Sequence, residues 1–140
     1  EAQYIAGMGF SNVGLGIVHS MAHPLGAFYD TPHGVANATL LPYVMEYNAE
    51  SPSRAKYLDI ARAMGVKTDG MSVDEGGRAA VDAVKALSLS IRIPQRLHEL
   101  GVREEDIPAL AVAAFNDVCT GGNPRPTSVE EIERLYHIAY

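Results

Sequence analysis

Apolar positions recur along this chain with a helical period almost throughout, and nowhere with the period of two that a half-buried strand requires. Val13 to Ala22 is apolar and small-residue, with Gly14 and Gly16 allowing close backbone approach. It predicts a helix carrying His19. That helix is expected to end or kink near His23, because Pro24 disfavours helical backbone in the residue before it. Phe28 to Pro32 reads as a loop. His33 and Gly34 then open a second apolar helix through Val35, Ala38, Leu41 and Met45, which Pro42 should kink or divide.

Beyond Asn48 the punctuation is sharper. Ser53 to Met64 predicts a helix ended by Gly65, a residue suited to the position just past a helix end. Ser72 and Glu75 have capping-box spacing for a helix that buries Ala80, Val81, Val84 and Leu87. Pro94 to Leu100, closed by Gly101, predicts a short helix. Another runs from about Ile107 to Val118, with Leu110, Ala111, Ala114, Phe115 and Val118 on one face. Residues 121–126 form a loop, and Ser128 with Glu131 caps a last helix striped by Val129, Ile132, Leu135, Tyr136 and Ala139. No βαβ unit or internal repeat is visible. The glycines of GMGFSNVG follow no apolar strand, so they fail the test for a dinucleotide-binding turn. The expected fold class is all-α, with residues 1–140 forming one helical domain.

Composition narrows the function classes. The chain has 140 residues, 47% of them hydrophobic and 20% charged, which is enough apolar material for an ordinary core and argues against disorder. A formal net charge of −6 argues against a nucleic-acid or anionic-membrane surface. No stretch approaches the length of a membrane span, and no charged-then-apolar leader opens the chain. The lone Cys119 cannot form an intrachain disulfide. A soluble, cytoplasmic protein is expected, with no nucleic-acid and no membrane partner.

Candidate chemistry is concentrated in three histidines within fifteen residues: His19, His23 and His33. Imidazole is the commonest side-chain metal ligand, and residues four apart share a helix face. No Lys or Arg lies between Glu1 and Arg54 to repel a cation, and Asp30 and Glu46 are the only acids between Glu1 and Glu50. Three histidines would leave an open coordination position, as catalytic sites do. A two-histidine half-site completed from elsewhere fits the spacing equally well. Cys119 reads as a small buried apolar residue rather than a reactive thiol, since neither Lys nor His is its sequence neighbour. His98 and His137 read as solvated surface. No G-x-S-x-G elbow supports a serine nucleophile.

The run GMGFSNVGLGIVHSMAHPLGAFYDTPHGVANATLLPYVMEYN resembles the second signature region of the iron-dependent (group III) alcohol dehydrogenases, and ARAMGV, REEDIPALA, DVCTGGNPRP and ERLYHIAY extend the likeness over the whole chain. The resemblance implies the C-terminal helical domain of a two-domain enzyme whose N-terminal α/β domain binds NAD. Such a fragment would also account for Glu1 standing where a Met would begin a chain. It implies that His19 and His33 are two of four ligands to Fe2+, the others preceding residue 1. Zn2+ or another divalent ion would also suit such ligands. It implies that His23 lies beside the nicotinamide and substrate, as a catalytic proton-handling group or as a packing residue, and that Phe10 and Cys119 lie near the substrate. The implied reaction interconverts a small alcohol and its aldehyde, 1,2-propanediol and lactaldehyde foremost, in a full-length homodimer; the fragment alone would be inactive. The rivals are a related enzyme for glycerol or another short alcohol, and a non-catalytic helical metal-binding module.

Overall fold

A computed structural model describes all of residues 1–140, and every regular element in it is helical. Seven α-helices follow in order: α1 Ala2–Val13, α2 Ile17–Tyr29, α3 His33–Asn48, α4 Tyr57–Ala63, α5 Val73–Ser90, α6 Ile107–Phe115 and α7 Val129–Ala139. Short 3-10 turns stand at Arg54–Lys56, Leu97–Leu100, Glu104–Asp106 and Thr120–Gly122. No helix is long and apolar enough to cross a membrane.

The two capping boxes form as the spacing predicts. The Glu75 amide donates to Ser72 Oγ while the Ser72 amide donates to Glu75 Oε2, and Ser128 with Glu131 repeats the exchange at α7. Gly65 and Gly101 take φ of 87° and 81°, the left-handed backbone that ends their segments at low cost.

The local rules fail where burial outweighs them. The segment Gly14–Gly16 is not helical; Gly14, at φ 82°, breaks the chain between α1 and α2. Helix α2 runs through Pro24 to Tyr29 instead of stopping at His23, so Phe28 and Tyr29 are helical rather than loop. Met21, Pro24 and Leu25 are buried, and the Tyr136 hydroxyl donates to the Met21 carbonyl at 2.6 Å, beside the helical bond that Pro24 cannot make. Pro42 is likewise buried inside an undivided α3. The expected helix over Ser53–Met64 is a 3-10 turn followed by α4, and that over Pro94–Leu100 shrinks to a 3-10 turn at Leu97–Leu100. Helix α6 stops at Phe115, which leaves Val118 94% exposed and Phe115 only partly covered. Leu87 is half exposed, whereas Ala80 and Val81 are buried.

The main core is built by α2 packed between α3 and α6, with α7 against α6 and α3. Ile17, Met21 and Leu25 meet Ala36, Leu40 and Val44 from α3, and Ile107, Leu110 and Tyr136 close the other side. Each such fully buried side chain contributes on the order of 1.5–3 kcal/mol of apolar burial. A second, smaller cluster joins Met45 of α3 to Tyr57 and Ala61 of α4 and Ala80 and Val81 of α5. Helix α1 has no buried residue.

One loop fixes where α2 begins. Asn48 and Asn123 exchange amide hydrogen bonds in both directions, at 3.0 and 2.8 Å, and Asn123 also donates to the Arg125 carbonyl. The backbone at Gly122 lies so close to Leu15 that a Cβ there would stand 2.0 Å from the Leu15 carbonyl oxygen. The end of α3 and the 120–123 turn thus hold the chain just before the helix that carries His19 and His23.

Candidate metal and proton-handling site

Helix α2 carries His19 and His23 one turn apart, and α3 starts at His33, so the antiparallel packing of α2 and α3 brings all three rings together. The His19 and His33 ring centroids are 5.4 Å apart, His23 and His33 stack at 5.5 Å, and His19 meets His23 edge-on at 6.2 Å. The persistence of α2 through Pro24 is what puts His23 in this group. The cluster is not sealed: His33 is exposed and the His23 side chain is 40% exposed. A cavity of about 780 Å³ opens beside His19, bounded by the Gly14–Gly16 segment, Asn37, Asn48 and Asn123.

His19 is held in the form a metal needs. Burial, followed by the neighbouring His33 and His23 rings, pushes His19 below the ordinary imidazole range and so favours its neutral form. The Asn37 side-chain amide donates to the His33 carbonyl at 2.9 Å and lies 3.1 Å from His33 Nε2. An amide nitrogen can only donate, so His33 Nε2 is the acceptor in this contact, a bond that a metal would displace. Asn37 Oδ1 is buried without a partner. These features fit two histidine ligands of a divalent cation facing a cleft. No set of three metal-ligating side chains with donor atoms all within 4.8 Å of one another includes His19 or His33.

A second constellation lies across the cluster. His23 Nδ1 is 2.8 Å from Asp117 Oδ2, and Asp117 Oδ1 accepts the Cys119 backbone N–H at 2.8 Å. The donor atoms of His23, Asp117 and Cys119 all lie within 4.8 Å of one another, the one triad of metal-binding residue types so grouped. Its protons are already engaged, however. Burial and the adjacent Asp117 push the Cys119 thiol up, away from the thiolate that metals take. Burial also raises the Asp117 carboxyl, but hydrogen bonds from Cys119 and His23 outweigh that and bring it below the usual carboxylate range. The triad is therefore a hydrogen-bonded set rather than a preformed metal site.

Of the residues singled out from sequence, the structure gathers His19, His23 and His33, and brings Cys119 to His23 through Asp117. Phe10 stands apart on α1, 43% exposed; Val13, at the end of the same helix, lines the cavity beside His19. Two residues escaped the sequence reading. Asn37 had a signal, since it lies four residues beyond His33 on one helix. Asp117 had none, because 94 residues separate it from His23.

Comparison with known proteins gives a consistent pattern. The profile of the Fe-containing alcohol dehydrogenase family, C-terminal, matches residues 1–140. The chain is 66% identical to lactaldehyde reductase of Escherichia coli (strain K12) over 138 residues, covering 99% of this chain and 36% of that protein. It is 46% identical to 1,3-propanediol dehydrogenase of Citrobacter freundii over 139 residues, with 99% and 36% covered. The solved alcohol dehydrogenase from Oenococcus oeni superposes with a TM-score of 0.92 at 41% identity, over 96% of this chain and 35% of that one. The chain thus spans about a third of the length of the curated relatives it matches.

Proposed function

The chain belongs to the iron-containing alcohol dehydrogenase family, matching its C-terminal part, and from that premise we propose that it is the helical, metal-binding domain of an NAD-linked enzyme interconverting lactaldehyde and 1,2-propanediol. The observation that carries this reading is the pair His19 and His33, with ring centroids 5.4 Å apart, and His19, whose neutral form burial favours, beside an open cavity. The likeness to a lactaldehyde reductase at 66% identity supports the substrate pair. An acidic chain without a membrane-spanning helix suits a cytoplasmic enzyme for small polar substrates. In this reading the preceding part of the protein supplies the remaining ligands and most of the NAD site, and the whole protein is a homodimer.

When bound, iron supplies Lewis acidity at the substrate oxygen and the nicotinamide gives or takes the hydride. This chain's residues do the rest of the work on its side of the cleft. His19 and His33 would each present a ring nitrogen to the metal, and no Lys or Arg lines the cavity beside His19. His23, partly exposed and stacked on His33, would exchange a proton between the substrate and water. Phe10 and Cys119 are proposed to border the substrate.

The reading is tested on the full-length protein with Fe2+ and NAD. It should oxidise 1,2-propanediol, with a kcat/KM exceeding that for 1,3-propanediol or glycerol, and the 140-residue chain alone should show no dehydrogenase activity. A higher kcat/KM for 1,3-propanediol would replace the substrate assignment. NAD-dependent oxidation by the isolated chain would overturn the half-site.

A further inference from the structure

The bond between His23 and Asp117 joins two elements that sequence does not connect, and its geometry has a chemical consequence. An ionised carboxylate can only accept, so at 2.8 Å from Asp117 Oδ2 the His23 Nδ1 must carry the proton. The other ring nitrogen, Nε2, is then the one with a free lone pair. Asp117 is itself held rigidly. Its amide donates to the Ala114 carbonyl, its carbonyl accepts from the Thr120 amide, and its second carboxylate oxygen accepts from the Cys119 amide. Thr120 is anchored in turn, its hydroxyl donating to the Ala114 carbonyl and lying 2.8 Å from the buried Ser20 hydroxyl of α2. The Asp117 side chain is 18% exposed, against 40% for the histidine it holds.

We infer that Asp117 is a positioning residue: it fixes His23 as the Nδ1–H tautomer and locks the ring against His33, leaving Nε2 as the nitrogen able to take a proton. This inference rests on the proposed reading of His23 as the proton-handling group. The tautomer itself can be read without any turnover, so the two can fail separately. A carboxylate that orients an imidazole and sets its tautomer is a recurring device at catalytic histidines and at metal-ligating ones. Here it is delivered by the turn after α6 onto a histidine of α2, 94 residues away in sequence.

The hydrogen-bond pattern dictates what Asp117→Asn does. The Cys119 amide still needs an acceptor, so the new side chain turns its oxygen to Cys119 and its NH2 group to His23. An NH2 group can only donate. His23 Nδ1 must then accept, and the imidazole proton moves to Nε2, the wrong nitrogen for taking one from the cleft.

The experiment is 15N NMR of histidine-labelled, metal-free full-length protein at neutral pH, beside steady-state kinetics of the metal-loaded enzyme. The wild type should show His23 with a protonated Nδ1 and a bare Nε2, and Asp117→Asn should reverse the two. The variant's kcat should fall by ~10²-fold or more with KM little changed, as expected when a general acid–base group is left in the wrong tautomer. Asp117→Glu, which restores an acceptor, should recover the wild-type tautomer. A wild-type His23 already protonated on Nε2 would overturn the inference, and this needs no variant to fold. An unchanged tautomer in Asp117→Asn with only a lowered melting temperature would reduce Asp117 to a structural turn residue and also overturn it. A reversed tautomer with unchanged kcat would uphold the positioning role and overturn proton handling by His23.

Discussion

His33→Ala in the full-length protein should remove both bound metal and turnover, whereas His23→Ala should lower turnover and leave the metal in place. The two rings stack at 5.5 Å, so proximity alone would predict similar effects. Their proposed roles separate them: His33 would hold the metal, and His23, oriented through Nδ1 by Asp117, would pass protons. Losing His33 removes a ligand and the electrostatic help at the substrate oxygen, and kcat should fall by ~10³-fold or more. Losing His23 removes a proton path that water can partly replace at a 40% exposed position, so a fall of ~10²-fold is expected. Metal analysis beside kcat checks both variants, and equal metal loss in the two would mean that His23 is a ligand after all.

Gly122→Ala is expected to be the most damaging single methyl group in the chain. The added Cβ would lie 2.0 Å from the Leu15 carbonyl oxygen and 3.2 Å from its carbon, and neither atom belongs to a side chain that can swing aside. Relief requires moving the 120–123 turn away from the start of α2, which also strains the Asn48–Asn123 amide pair. A cost of about 3 kcal/mol or more follows, or a melting temperature lower by roughly 10 °C. Metal affinity should fall with it, because α2 carries His19. Gly77→Ala is the matched control. Its Cβ would come no closer than 3.8 Å, to the Ala49 Cβ, and alanine gains about 1 kcal/mol of helix propensity in α5. Thermal melts of the two variants should differ widely, and similar melts would contradict the role given to the loop.

What the sequence made legible was mostly local. The boxes at Ser72 and Ser128 and the glycines at 65 and 101 act within one helical turn, so their spacing alone announces them. The histidine cluster was legible for the same reason, two of its members lying four residues apart. The course of α2 was not. Pro24 argues locally for a helix end, and only burial of Met21, Pro24 and Leu25 under Tyr136 reverses that preference. Helix α5 shows the opposite error: Leu87 has the right period for the buried face, but the packing of α4 and α3 ends before reaching it. Asp117 lay beyond any local signal, since its role depends on α6 packing against α2. The division of the three histidines into ligands and a proton-handling neighbour came from the resemblance and remains a proposal beside the bonds to Asn37 and Asp117.

The half-site is tested most directly by anaerobic calorimetric titration of Fe2+ into the 140-residue chain and into the full-length protein, with helicity of the isolated chain checked by circular dichroism in the same sample. The full-length protein should take one equivalent tightly. The folded chain, offering only half of the proposed ligand set, should bind at least ~100-fold more weakly. One equivalent bound by the isolated chain as tightly as by the full-length protein would contradict the account and make this helical chain a self-contained metal site.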